Sequence, residues 1–114
     1  MAHGVRVQRS DSYCAETVAA GRNYRIRRLD VAPGGGLAAA LHRHRTEQFV
    51  VLSGRARIVR GEATLIAGEN ASVFIPAGMP HRLENPGFAP LSLLEVQFGS
   101  RFEEDDGKAF GKWP

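Results

Sequence analysis

The segment Gln48–Leu52 reads QFVVL, an apolar run of residues that favour β-strands, and it ends at the turn signal Ser53-Gly54. Upstream, Pro33–Gly36 reads PGGG and interrupts the chain just before Leu37–Leu41, which reads LAAAL. The composition of LAAAL suits a helix, with its two leucines four residues apart. Because breakers precede it and a strand-like run follows it, the surroundings overrule this helical composition.

Other short runs are bounded by glycine or proline in the same way. They are Ala56–Val59, Ala63–Ile66, Ser72–Ile75 and Leu91–Phe98. Many short strands at close spacing indicate an all-β sandwich or barrel, and no long amphipathic helix is evident. A chain of 114 residues buries roughly two-thirds of its unfolded surface as one domain. Any functional site is therefore expected in or on a single all-β domain.

Composition argues against several classes of function. No run is long and apolar enough to span a membrane, and Met1–Arg6 lacks the apolar core of a signal peptide, so we expect a cytoplasmic protein that does not bind membranes. The single cysteine, Cys14, excludes an internal disulfide and a thiolate zinc site. The net charge of +3 comes without a continuous basic stripe, so nucleic acid is not an expected partner.

His42 and His44 are separated by one residue. On a strand this spacing places both side chains on one face, whereas on a helix they point in different directions. Two imidazoles on one face can close on a metal ion, and His81 can join them from another strand. The spacing therefore predicts a divalent metal site inside the barrel, with Zn, Mn, Fe and Ni as candidate ions.

The fourth ligand depends on how the strand alternates after the histidines. Steady alternation puts Gln48 on the histidine face and Glu47 on the opposite face. A β-bulge near Arg45-Thr46 would turn Glu47 inward instead. A carboxylate binds a divalent ion better than an amide does, but a neutral amide oxygen can complete a shell of three imidazoles. We predict as metal ligands His42, His44, Gln48 and His81, with Glu47 as the alternative to Gln48.

Two motifs resemble the signatures of the cupin superfamily: G-x5-H-x-H beginning at Gly36 and P-x-G-x2-H-x3-N beginning at Pro76. The resemblance implies a small jelly-roll β-barrel, usually dimeric, with a metal in its mouth. Within the cupins, residues 24–106 are similar to the C-terminal isomerase domain of type II mannose-6-phosphate isomerase. The matching segments are Leu41–Gly54, Glu69–Gly87, Leu94–Gln97 and Glu104–Asp106.

The resemblance leads to one expected domain over residues 1–114, with a barrel core at about 24–99, a flexible N-terminal arm and an acidic C-terminal tail. The chain departs from the family pattern at three places. Arg43 stands where the family has the middle of three consecutive histidines, and Gln48 stands where it has a histidine after the glutamate. A motif near the N-terminus of the family corresponds here to Gln8–Tyr13, which lacks the tryptophan and the glycine of that motif.

The resemblance also implies an activity, the aldose–ketose isomerisation of a sugar phosphate such as mannose 6-phosphate. Glu47 or Glu84 is then the candidate base that moves a proton between C1 and C2. Arg43, Arg57 and Arg82 are candidates for binding phosphate, since guanidinium offers a planar fork to that anion.

Two other functions fit the same ligands. Three histidines with open coordination positions can hold Fe(II) in a dioxygenase of a small molecule. A non-catalytic module that binds a sugar or another small metabolite is the third reading, because fold does not settle function. In every case we expect a small-molecule ligand, and a homodimer that covers the edge strands of the jelly roll.

Overall fold

The computed structural model describes residues 7–100 and Phe102, and for 7–9 only the strand itself. The predicted N-terminal arm before Val5 and the acidic tail Glu103–Asp106 lie outside these residues, so both stay predictions. Ten strands follow one another: β1 (Val7–Arg9), β2 (Tyr13–Ala20), β3 (Tyr24–Val31), β4 (Gly36–Ala40), β5 (Arg45–Ser53), β6 (Ala56–Arg60), β7 (Ala63–Ala67), β8 (Ser72–Ile75), β9 (His81–Glu84) and β10 (Leu91–Gly99). Within the described part of the chain, no helix is long and apolar enough to cross a bilayer.

The strands form two antiparallel sheets, which confirms the all-β prediction. One sheet has six strands in the order β1-β2-β3-β10-β5-β8, and the other has four in the order β4-β9-β6-β7. Alternate side chains from both sheets point inward and pack into one apolar core. Its largest fully buried aliphatic members include Leu29, Ile58, Ile75, Leu83 and Leu93.

The stretch LAAAL contributes a strand, as its flanking residues predict. Gly36–Ala40 forms β4, in which Gly36 pairs with Glu84 and Ala40 pairs with His81 of β9. The approach at Gly36 is close, because a Cβ there would lie 2.6 Å from the carbonyl oxygen of Leu83. Strand pairing in the tertiary structure thus outweighs the local helical composition.

The six-stranded sheet begins further upstream than the predicted barrel core at about residue 24. Tyr13–Ala20 pairs along its length with Tyr24–Val31, and the short β1 pairs with β2. β2 reads YCAETVAA, and its alanines and mixed polar residues give a weak strand pattern. The sequence patterns therefore missed this strand.

β10 lies at the centre of the six-stranded sheet, paired with β3 on one side and β5 on the other. Its inward residues begin as leucine at Leu91 and Leu93 and continue as Glu95 and Gln97, all of them buried. Glu95 pairs in register with Arg27 of β3, and Gln97 pairs with Glu47 of β5. One end of the barrel interior is therefore apolar, whereas the other is strongly polar.

Gly54 lies in the tight connection between β5 and β6, and its substitution tests that turn. Its φ is +88°, and a Cβ there would lie 2.5 Å from the carbonyl oxygen of Pro90. We expect Gly54→Ala to lower the free energy of unfolding by about 1–3 kcal/mol, through backbone strain and the steric clash. Urea denaturation measures this, with Gly68→Ala as control because a Cβ at Gly68 has nothing within 4 Å. Equal loss in both variants would contradict this account of the turn.

Candidate metal centre

His42 and His44 lie on a bend that precedes β5, not on a strand. The carbonyl of His42 accepts a hydrogen bond from the Gly78 amide at 2.7 Å, and the carbonyl of His44 accepts one from the Ser100 amide at 3.0 Å. The two side chains separate at this bend, so that His42 is buried and His44 is exposed. The premise that the two histidines share a strand face is wrong, and the structure does not bring His44 into the buried cluster.

Glu47 takes the interior position that the sequence assigned first to Gln48. β5 starts at Arg45, and from there its inward residues are Arg45, Glu47, Phe49 and Val51. Gln48 lies on the outer face of the sheet and is exposed. The bend before β5 resets the alternation and turns Glu47 inward, which is the effect predicted for a bulge near Arg45-Thr46.

The carboxylate of Glu47 lies between two buried imidazoles. His42 Nε2 is 3.4 Å from Glu47 Oε2, and His81 Nε2 is 3.2 Å from Glu47 Oε1. One potential ligand atom from each of the three residues lies within 4.8 Å of the other two. His81 Nδ1 donates to the Met79 carbonyl at 3.0 Å, which leaves Nε2 directed toward Glu47. These three side chains form the buried cluster of the site.

Further donors orient the Glu47 carboxylate. Arg45 Nε donates to Glu47 Oε2 at 3.1 Å, and Arg45 Nη2 lies 3.1 Å from His42 Nε2. Gln97 Nε2 donates to the same Oε2 at 2.9 Å, while Gln97 Oε1 accepts from Arg25 Nε at 2.6 Å. Oε2 is thus held by Arg45 and Gln97, and Oε1 is directed to His81.

The electrostatics of the buried cluster favour a charged carboxylate. Burial alone would raise the pKa of Glu47, but the hydrogen bond from His81 and the positive charges of His42, His81 and Arg45 lower it to about 2. Burial likewise lowers the pKa of His81, but the hydrogen bond and negative charge of Glu47 outweigh it and raise that pKa above 6.5. Without a metal, Glu47 and His81 therefore act as a buried ion pair.

The buried cluster lines a cavity of about 150 Å³. Arg27 and Glu95 line the same cavity and form an ion pair with Nε 2.6 Å from Oε1. Both side chains are buried. We did not predict either residue, although a charged residue inside the apolar run Leu91–Phe98 was a signal that could have identified Glu95.

Three of the predicted site residues, Arg57, Arg82 and Glu84, are joined by ion pairs away from the buried cluster. Arg57 Nε lies 2.9 Å from Glu84 Oε1, and Arg82 Nε lies 3.3 Å from Glu84 Oε2. Alternation along β9 puts Arg82 and Glu84 on the face opposite His81. Arg82 is also among the residues that line the cavity, whereas Arg43 is exposed on the bend before β5.

The residues present fit a divalent ion. Two imidazole nitrogens and one carboxylate oxygen are suitable ligands for Zn, Fe or Mn, and all three side chains are already gathered in the interior. The group that the structure gathers is therefore His42, Glu47 and His81. The ligand set predicted from the sequence, which includes His44 and Gln48, stays a prediction.

Comparison with known proteins agrees with the resemblance drawn from the two motifs. A family model for the C-terminal domain of mannose-6-phosphate isomerase matches residues 5–112. The chain is 49% identical over 92 residues to mannose-1-phosphate guanylyltransferase ManC of Salmonella typhimurium, covering 80% of this chain and 19% of that relative. It is 45% identical over 91 residues to the xanthan biosynthesis protein XanB of Xanthomonas campestris, covering 80% and 20%. The chain thus spans about a fifth of the length of these relatives.

A solved structure supports the fold independently. The cupin-2 domain Rru_A2000 from Rhodospirillum rubrum superposes with a TM-score of 0.81 at 19% identity, covering 96% of this chain and 77% of that one. At this identity the likeness bears on the fold alone. It confirms the cupin architecture that the sequence predicted.

Glu47→Gln tests the buried ion pair in metal-free protein. We expect the variant to lose about 3–5 kcal/mol of unfolding free energy near neutral pH, because the substitution leaves Arg45 and His81 without the buried carboxylate. The Glu47 contribution is present above its unfolded pKa of 4.5 and is lost as pH falls through about 2. The His81 contribution is complete below 6.5 and is lost as pH rises through its raised folded value.

The stability difference between wild type and Glu47→Gln should therefore be largest between pH 4.5 and 6.5 and decrease on either side. Urea denaturation in the presence of a chelator, repeated across this range, measures it. A difference that does not vary with pH would show that Glu47 and His81 are not coupled in the folded protein.

Single histidine variants distinguish the group that the structure gathers from the ligand set predicted from the sequence. We expect His42→Ala and His81→Ala to weaken Zn²⁺ binding more than about 100-fold, beyond the loss typical of an outer-shell substitution. His44→Ala is expected to bind within about threefold of wild type, because its side chain lies on the exposed side of the bend. Isothermal titration with Zn²⁺ measures all three. Loss of binding in His44→Ala would support the sequence-based ligand set.

Proposed function

Because this chain belongs to the family of mannose-6-phosphate isomerase C-terminal domains, we propose that it is a metal-dependent sugar-phosphate isomerase, with mannose 6-phosphate as its first test substrate. The observation that carries the proposal is the carboxylate of Glu47, held between His42 and His81 in a cavity that arginines help to line. Such a site combines a place for a divalent ion with positive charge for an anionic substrate.

Each residue of the buried cluster has a defined part in this proposal. His42, Glu47 and His81 would hold the ion, and Arg45 and Gln97 would fix the orientation of the carboxylate through Oε2. When bound, a divalent ion supplies the Lewis acidity that polarises a sugar carbonyl and stabilises an enediolate oxygen. Glu47 is poorly suited to act as the base, because a carboxyl with a pKa of about 2 accepts protons weakly.

Of the arginines predicted to bind phosphate, we propose Arg82 first, because it lines the cavity. Arg57 contacts the same Glu84 as Arg82 does but is not among the residues that line the cavity, which leaves it less suited to the role. Arg43 lies exposed on the bend beside His42 and is the second candidate. Guanidinium groups match phosphate geometry with two parallel hydrogen bonds.

One observation favours a second function. Two histidines and one carboxylate form the donor set typical of non-haem Fe(II) oxygenases. A dioxygenase of a small molecule is therefore the alternative proposal, and it differs from the isomerase in requiring iron and dioxygen. The cytoplasmic location and the homodimer expected from the sequence stay predictions.

Turnover separates the two proposals. We expect the purified protein, loaded with Zn²⁺, Mn²⁺ or Fe²⁺ in turn, to convert mannose 6-phosphate to fructose 6-phosphate with at least one ion. The double variant His42→Ala/His81→Ala should lose both the metal and the turnover, because it removes two of the three fitting ligands. A coupled assay for fructose 6-phosphate measures the rate, and elemental analysis measures the metal.

The controls distinguish the isomerase from the dioxygenase and from a non-catalytic binding module. Turnover that survives in the double variant would indicate a contaminating enzyme and contradict the proposal. Metal binding without isomerisation, combined with substrate-dependent oxygen consumption in the Fe²⁺ form, would favour the dioxygenase. Metal binding with neither reaction would favour a binding module.

A further inference from the structure

The cavity contains a second buried carboxylate that the roles assigned above do not use. Glu95 is only 3% exposed and lies on β10 at the centre of the six-stranded sheet. Glu95 and Glu47 are diagonal neighbours on adjacent strands, since Gln97 is opposite Glu47 and Glu95 is opposite Phe49. Both glutamates line the same cavity. Two carboxylates therefore face the one cavity that contains the candidate metal centre.

Stability alone is a weak explanation for this buried ion pair. Glu95 is ion-paired with Arg27, with Nε 2.6 Å from Oε1, and Arg27 is also buried. Replacing a buried ion pair with well-packed apolar residues is often neutral or stabilising, because desolvation offsets the attraction between the charges. The neighbouring inward positions of β10, Leu91 and Leu93, are apolar and fully buried. A charged pair at this position is thus better explained by the chemistry of the cavity than by stability.

The two carboxylates have opposite electrostatic environments. Glu47 accepts hydrogen bonds from Arg45 and Gln97 and faces two imidazoles, which keeps it ionised. Burial and the negative charge of Glu47 raise the pKa of Glu95, and the pairing with Arg27 only partly opposes this effect. Carboxyl groups whose environments differ in this way commonly divide the work, one remaining charged while the other takes up and releases a proton.

We propose that Glu95, held in place by Arg27, carries the proton between C1 and C2 of an open-chain sugar phosphate in the cavity. This inference rests on the proposed isomerase function and identifies its acid–base group. Glu47 is better suited to holding the ion, and Glu84 is engaged by Arg57 and Arg82 on the opposite face of β9. Of the two glutamates that line the cavity, Glu95 is the one not in the ligand set.

The step balances without another reactant. The Glu95 carboxylate takes the proton from C2, the C2–H electron pair forms the C1=C2 double bond, and the carbonyl π pair moves to O1. Glu95 then returns the proton to C1, the O2 hydroxyl proton passes to O1, and the C2=O bond of the ketose forms. No oxidant or reductant enters, since C1 is reduced as C2 is oxidised within the same molecule.

Glu95→Gln removes the acid–base group while preserving its shape. We expect kcat for mannose 6-phosphate to fall about 10²–10⁴-fold, with KM and the metal content within a factor of about three of wild type. Glu62→Gln is the matched control, because Glu62 is exposed in the turn between β6 and β7. Substrate deuterated at C2 adds a second readout. Wild type should transfer part of the deuterium to C1, and the variant should lose this transfer together with turnover.

Glu95→Asp provides a test that retains the charge and the partner Arg27, in case Glu95→Gln does not fold. The shorter side chain withdraws the carboxylate from the cavity, so we expect a folded protein with normal metal content and kcat lowered at least about tenfold. Thermal melting verifies folding. If wild type isomerises the sugar phosphate and a folded Glu95 variant does so equally well, the role of Glu95 is overturned and the proposed function stands. If metal-loaded wild type does not isomerise it, both are overturned.

Discussion

The site depends on one constraint: the buried carboxylate of Glu47 needs hydrogen-bond donors and positive charge around it. A lone charge at 2% exposure would be strongly unfavourable, and it persists only because donors converge on it from several strands. Arg45 comes from the same strand, Gln97 from β10 and His81 from β9, so both sheets contribute. The contacts to this carboxylate thus connect three strands, and the same arrangement gathers the three side chains that fit a divalent ion.

Much of the fold could be predicted from local signals. Glycine and proline mark the strand ends, and the apolar runs correspond to β5 to β8 and β10. The site was harder to predict, because inward and outward positions depend on where a strand starts. The bend at His42–His44 shifts the start of β5 to Arg45, and a shift of one residue exchanges the two faces. That single shift accounts for both the exposure of Gln48 and the burial of Glu47.

Glu95 and Arg27 were missed for another reason. Nothing in the local pattern of Leu91–Phe98 indicates that this strand inserts between β3 and β5, and strand order is a long-range property. Only that order places Glu95 opposite Arg27 and beside Glu47. The segment Leu94–Gln97 therefore contributes to the site because of the strand order. The periodicity of a single sequence does not reveal that order.

The central place of β10 also has a consequence for how the protein assembles. The last of the described strands pairs along most of its length with both β3 and β5. Until β10 has been synthesised, β3 and β5 expose edges that can pair with other chains. Long-range pairing of this kind slows folding and lengthens the time during which aggregation competes. During synthesis on the ribosome, the candidate metal centre and Glu95 would therefore come together late, in the step that inserts β10 into the large sheet.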